Sequence, residues 1–155
     1  MRWVINLAEM EDIARARKKL EDSLRILVES DDNLLGAMIV DMEEGLPLTF
    51  VPKAEAFDIN VGPSGEEEEA LGGTILHSFD QIQKLIAEDR LNLGTLQRVL
   101  IEGDKGVAIL HPLQRSKTVL LLYGRRGVKI GFVYTILNEI IDEIEELARI
   151  ALSGI

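Results

Sequence analysis

The sequence predicts a three-layer α/β/α sandwich: helix, two strands, helix, three strands, helix, with a five-stranded antiparallel sheet. Three observations lead to it. Apolar residues recur at helical spacing in three separated segments. Five short runs rich in strand formers lie between and after the first two of them, each bounded by turn residues. Two of those runs, Met38-Ile39-Val40 and Val119-Leu120-Leu121-Leu122, are apolar at successive positions, so both faces of the sheet must be covered by helices. At 155 residues the chain suits one compact domain around one core. Residues 9–152 are read as that domain, 1–8 as an N-terminal extension carrying the single tryptophan, Trp3, and 153–155 as a tail.

From Glu9 to Glu29, Ile13, Ala16, Leu20, Leu24, Leu27 and Val28 form an apolar stripe, while Arg15, Lys18, Lys19, Glu21, Asp22 and Arg25 fall mostly off it. This is an amphipathic first helix. Residues 33–50 then spell a hairpin. Leu35 to Val40 supply a strand, Asp41, Glu43, Glu44 and Gly45 a turn ending in a residue free to take positive φ, and Leu46 begins the return strand. Val51 to Gly65 hold Pro52, Pro63 and two glycines, which predicts an irregular, mobile connection. Glu66 to Glu69 suit the positive end of a helix dipole, and the second helix is expected to run from there to about Glu88. Its main stripe is Leu71, Ile75, Phe79, Ile82 and Ile86, with a narrower small-residue track through Ala70, Gly73 and His77.

After Asn92 and Gly94 come three extended runs, Leu96 to Glu102, Val107 to His111 and Lys117 to Tyr123. Gly103-Asp104-Lys105-Gly106 is a tight-turn signal between the first two, and Pro112 with Ser116 brackets the next connection, so these are antiparallel neighbours. From Ile130 to Leu152 a wide apolar stripe (Val133, Ile136, Leu137, Ile140, Ile141, Ile144, Leu147, Ala151) opposes Glu139, Asp142, Glu143, Glu145, Glu146 and Arg149, the strongest helical signal in the chain.

Composition excludes several function classes. Seventeen Lys and Arg against 27 Asp and Glu give a formal net charge of −10, the wrong sign for tracking a phosphate backbone. No nucleic-acid partner is expected. The absence of cysteine removes disulfides and thiolate metal sites. The longest apolar runs fall far short of the roughly 20 residues that span a bilayer, and Met1 to Leu7 lacks the pattern of a signal peptide, so a cytoplasmic location is the expectation.

Leu35-Gly36-Ala37, Val40-Asp41 and Glu44-Gly45-Leu46-Pro47 at the hairpin, Leu71-Gly72-Gly73 in the second helix, Ile101-Glu102-Gly103 and Leu120-Leu121-Leu122 follow one another in an order that resembles the Roadblock family of dynein light chain and MglB-type proteins. The resemblance runs from about Leu20 to Leu152. It implies a Roadblock-type fold and a dimer in which the second helices and third strands of two subunits meet in one continuous sheet, with Ala70, Gly73, His77, Leu96, Arg98 and Leu100 at the contact. It also implies a non-enzymatic scaffold or regulator of Ras-like small GTPases, some members stimulating GTP hydrolysis. Gln81, Lys84, Arg125 and Arg126 are then candidate GTPase contacts. The 51–65 connection and the N-terminal extension have no clear place in the family pattern.

Other chemistry is weakly signalled. Gly62-Pro63-Ser64-Gly65 precedes a helix, but Glu66 to Glu69 would repel a phosphate there and no lysine stands at Walker spacing. His77 and His111 lie on different elements without metal-ligand spacing. No serine sits in a nucleophile elbow, and no cofactor is implied. Arg125 and Arg126 between two glycines suggest a flexible loop that either gives solubility, meets a GTPase, or acts as an arginine finger. Two rivals to GTPase regulation stand: a structural scaffold with no effect on GTP turnover, and a small-molecule sensor domain, which would need an apolar pocket with converging polar groups.

Overall fold

The computed structural model describes residues 7–53 and 65–153, with side chains of 65–69 outside the description. The elements are α1 (Leu7–Glu29), β1 (Leu34–Asp41), β2 (Pro47–Pro52), α2 (Gly65–Ile86), β3 (Val99–Glu102), β4 (Gly106–Leu113), β5 (Thr118–Arg125) and α3 (Ile130–Leu152). The five strands form one antiparallel sheet in the order β2-β1-β5-β4-β3. This is the predicted architecture in the predicted order.

The doubly apolar strands produce two cores. On one face α1 and α3 cover Ala37, Ile39, Ile109, Leu120 and Leu122 with Leu20, Leu24, Leu27, Val133, Leu137 and Ile144. On the other, Ile75 and Phe79 of α2 bury Met38, Val40, Leu110, Val119 and Leu121. The β1–β2 turn closes as its residues dictate. The Asp41 carboxylate accepts the N–H groups of Glu43 and Glu44 (3.1 and 3.4 Å), Gly45 donates to the Asp41 carbonyl (2.9 Å), and Gly45 takes φ 72°. Gly103 N–H to Gly106 carbonyl (2.8 Å) closes the β3–β4 turn.

The structure corrects three boundaries. Helix α1 begins at Leu7, two residues inside the stretch read as an extension, and residues 1–6 with Trp3 lie outside the described part. Strand β2 continues through Val51 to Pro52, because an edge strand tolerates a proline; the remainder of the predicted mobile connection, 54–64, lies outside the described residues. Strand β3 starts at Val99 instead of Leu96, since Leu96 turns into the α2-side core and Arg98 lies over the Tyr134 ring, 4.4 Å from its centroid. Among the described residues no helix is long and apolar enough to cross a membrane.

Candidate functional site

The sheet has two edges, and they differ. Strand β2 carries prolines at both its ends, Pro47 and Pro52, and α1 packs against it. Strand β3 has no proline, and its Leu100 and Ile101 are 42% and 50% exposed. Leu85, Leu91 and Leu93, in the end of α2 and the segment leading toward β3, are exposed as well. Apolar surface of this kind beside unpaired strand N–H and C=O groups is what a pairing edge presents.

The outward face of α2 is built from the second sequence track. Ala70, Gly73, His77, Gln81 and Lys84 recur at steps of three and four and are all exposed. The adjacent glycines Gly72 and Gly73 do opposite jobs. Gly72 is buried against the β1–β2 turn, where an added Cβ would fall inside the Gly45 carbonyl, so α2 docks backbone to backbone there. A Cβ on Gly73 would meet nothing within 4 Å. Gly73 therefore leaves the helix backbone open to approach from outside.

The remaining candidates are scattered. Leu96 is buried within its own protomer, which leaves it little surface to offer a second one. Arg98 is exposed but stacked on Tyr134. Leu100 remains on the open edge. Lys84 pairs with Asp80 at 3.0 Å one turn earlier, an exposed contact of small energy. Residues of that same stretch, Leu76, Asp80 and Gln83, line a groove with Met42, Pro112, Gln114 and Lys117, at the β4–β5 turn. Arg125 pairs with Gly106 at the other end of the sheet. The four candidate GTPase contacts are thus divided between two ends of the sheet. The arginines also stand on an anchored backbone, contrary to the expected flexible loop. Arg125 N–H donates to the Asn33 carbonyl (2.8 Å) and Arg126 N–H to the Lys105 carbonyl (3.2 Å), while both side chains stay exposed.

Neither a metal centre nor a sensor pocket is favoured. Among the described residues no three His, Asp or Glu side chains converge as ligands. A cavity of about 450 Å³ opens between the β1–β2 turn, the β4–β5 turn and the end of α3. Its rim carries Asp41, Glu43, Glu44, Arg115, Lys117 and Arg149, with Lys117 already facing Glu43 at 3.6 Å, so it is charged where a small-molecule site is mostly apolar.

Sequence reasoning missed the joint at Asp31. This buried carboxylate accepts the N–H of Asn33 (2.8 Å) and of Lys129 (2.9 Å), while its backbone carbonyl accepts the Lys53 Nζ (2.6 Å). One residue thereby joins the end of α1, the end of β2 and the start of α3. The Asp-Asp-Asn triplet was a local turn signal, but nothing in it pointed to residue 129.

No protein-family model and no curated protein matches the chain. Solved structures do. An MglB with a tetrameric arrangement superposes with a TM-score of 0.67 at 16% identity, covering 90% of this chain and 93% of that one. MglB from Thermus thermophilus gives 0.66 at 16% identity, covering 89% and 92%. A Roadblock/LC7 domain from Streptomyces avermitilis gives 0.59 at 11% identity, covering 80% and 96%. With the element order, strand order and two-sided helical cover already established, these likenesses show that the chain has the Roadblock/MglB-type fold.

Proposed function

We propose that this chain is a homodimeric Roadblock-type domain, not itself an enzyme, that binds and regulates a Ras-like small GTPase. The observation that carries the pairing is the unblunted β3 edge, with Leu100 and Ile101 exposed, in a protomer whose α2 also turns the bare backbone of Gly73 outward. The fold it shares with MglB supports the GTPase side of the reading. Ala70, Gly73, His77 and Leu100 are the proposed subunit contacts. Gln81 and Lys84 on α2, and Arg125 and Arg126 at the opposite sheet end, are the proposed GTPase contacts, and the separation of the two pairs means one partner of ordinary size need not touch both.

A dimer is expected by light scattering at micromolar concentration, persisting on dilution because stable interfaces bury roughly 1,200–2,000 Å². A monomer there would remove the proposed contact. For function, the measurement is single-turnover GTP hydrolysis by a small GTPase co-purified from the native host, at saturating amounts of this protein. Stimulation is the expected result; binding without stimulation would favour a scaffold. Arg125→Ala/Arg126→Ala should weaken binding modestly and keep most of the saturated rate. Loss of an arginine finger would instead remove roughly a thousandfold or more. A collapse of that size would make the arginines catalytic.

A further inference from the structure

His111 is an uninvited polar group on an otherwise apolar strand. It sits on β4 between Ile109 and Leu113, on the face covered by α3, and its Nδ1 is buried without a hydrogen-bond partner among the described residues. Val99, the first residue of β3, faces Leu110, so Arg98 just before it and His111 just after Leu110 are neighbours at the point where β3 begins, close enough for the Arg98 charge to act on the imidazole. Arg98 is held there by its guanidinium on the Tyr134 ring.

We propose that His111 and Arg98 form an acid-sensitive latch on the edge strand: with His111 neutral, Arg98 stays docked and β3 is presented for pairing, and protonation places two cations side by side and loosens the start of β3. Like charges held as close neighbours at a strand end repel and are destabilising. The neighbouring groups do not cancel this. From α3, Glu145 attracts a protonated His111, but that carboxylate accepts the backbone N–H of Arg115 and lies 3.6 Å from the Arg115 Nε, so its charge is shared with the β4–β5 turn. Tyr134, from α3, contributes the ring beneath Arg98.

Burial, then Arg98, push the His111 pKa below its ordinary 6.5, against the smaller upward pull of Glu145. A histidine that resists protonation in the folded state binds fewer protons than the same residue in the loosened one. Its contribution to holding β3 is therefore fully present above about pH 6.5 and is lost as the pH falls from there toward the depressed folded value.

The consequence for dimerisation rests on the edge-pairing reading above, so the test is made within the protomer. Titration of the His111 ring protons by NMR should give a pKa below 6.5, rising in Arg98→Gln and staying low in Arg98→Lys, which keeps the charge. An unchanged pKa in Arg98→Gln would overturn the proposal. Amide exchange at residues 99–102, corrected for the intrinsic rate, should open on going from pH 7.5 to 5, by up to about tenfold per unit of pKa depression, and should not do so in His111→Gln. A pH-independent opening in the wild type, or an equal rise in His111→Gln, would overturn it as well. If the chain proves monomeric at every pH, the pairing reading fails while these two readouts still decide the latch.

Discussion

Gly73→Arg should yield a folded monomer, and Gly72→Leu, one residue earlier, a protein that folds poorly. The two glycines are adjacent in sequence and about 100° apart around α2, Gly72 against the β1–β2 turn and Gly73 facing open space. At Gly73 a Cβ meets nothing within 4 Å, and replacing an exposed helical glycine by arginine gains helix propensity of somewhat less than about 1 kcal/mol, so the protomer itself tolerates arginine. Two arginines brought together across a two-fold contact cost several kcal/mol, and each 1.4 kcal/mol is tenfold in affinity, so association should weaken roughly a hundredfold or more. At Gly72 the side chain would displace the Gly45 carbonyl, a backbone group in a turn fixed by Asp41, and forced repacking of this kind costs about 1–3 kcal/mol or more. Far-UV circular dichroism with light scattering separates the cases. A Gly73→Arg protein that stays dimeric would mean the helices meet elsewhere, and one that unfolds before dissociating would mean Gly73 faces its own sheet.

Where one physical cause acted alone, the sequence was readable. The wide stripe from Ile130 to Leu152 coincides with α3 end to end, because nothing local competes with burial of that face. Asp41 and Gly45 announced a turn that closes locally, through the Asp41 carboxylate and the positive φ of Gly45. Readings failed where tertiary contact chose between two acceptable local forms. Leu96 suits a strand by propensity, yet it is held in the α2-side core, and Arg98 goes to Tyr134, 36 residues away in sequence, so β3 is shortened to Val99–Glu102. Pro52 reads as a breaker unless the strand is known to be an edge. For the candidate surface, the α2 track was legible as spacing, whereas the placement of the α2 stretch holding Gln81 and Lys84 near one end of the sheet and of Arg125 and Arg126 at the other depends on helix docking and strand register. No sequence window contains that.

Asp31→Ala should be the most damaging polar substitution among the described residues. Hydrogen bonds to a charged group contribute about 1.5–3 kcal/mol each, and removing this carboxylate leaves two N–H groups, of Asn33 and Lys129, without their acceptor. Partial access of water to both reduces the sum to about 2–4 kcal/mol. With a urea m-value of about 2 kcal/mol per M, the unfolding midpoint should fall by roughly 1–2 M, compared at equal protein concentration because dimerisation adds to apparent stability. Asp31→Asn keeps one acceptor oxygen while presenting an amide donor to the other N–H, so it should lose about as much as one of the two bonds is worth, and Asp32→Ala, at an exposed neighbour, should stay within about 0.5 kcal/mol. The Lys53 Nζ bond is to the residue 31 backbone carbonyl and survives all three changes, so the difference between the variants reports the carboxylate alone. An Asp31→Ala midpoint within error of Asp32→Ala would show that water replaces the carboxylate at no cost, and that the joint between α1 and α3 is held by apolar packing instead.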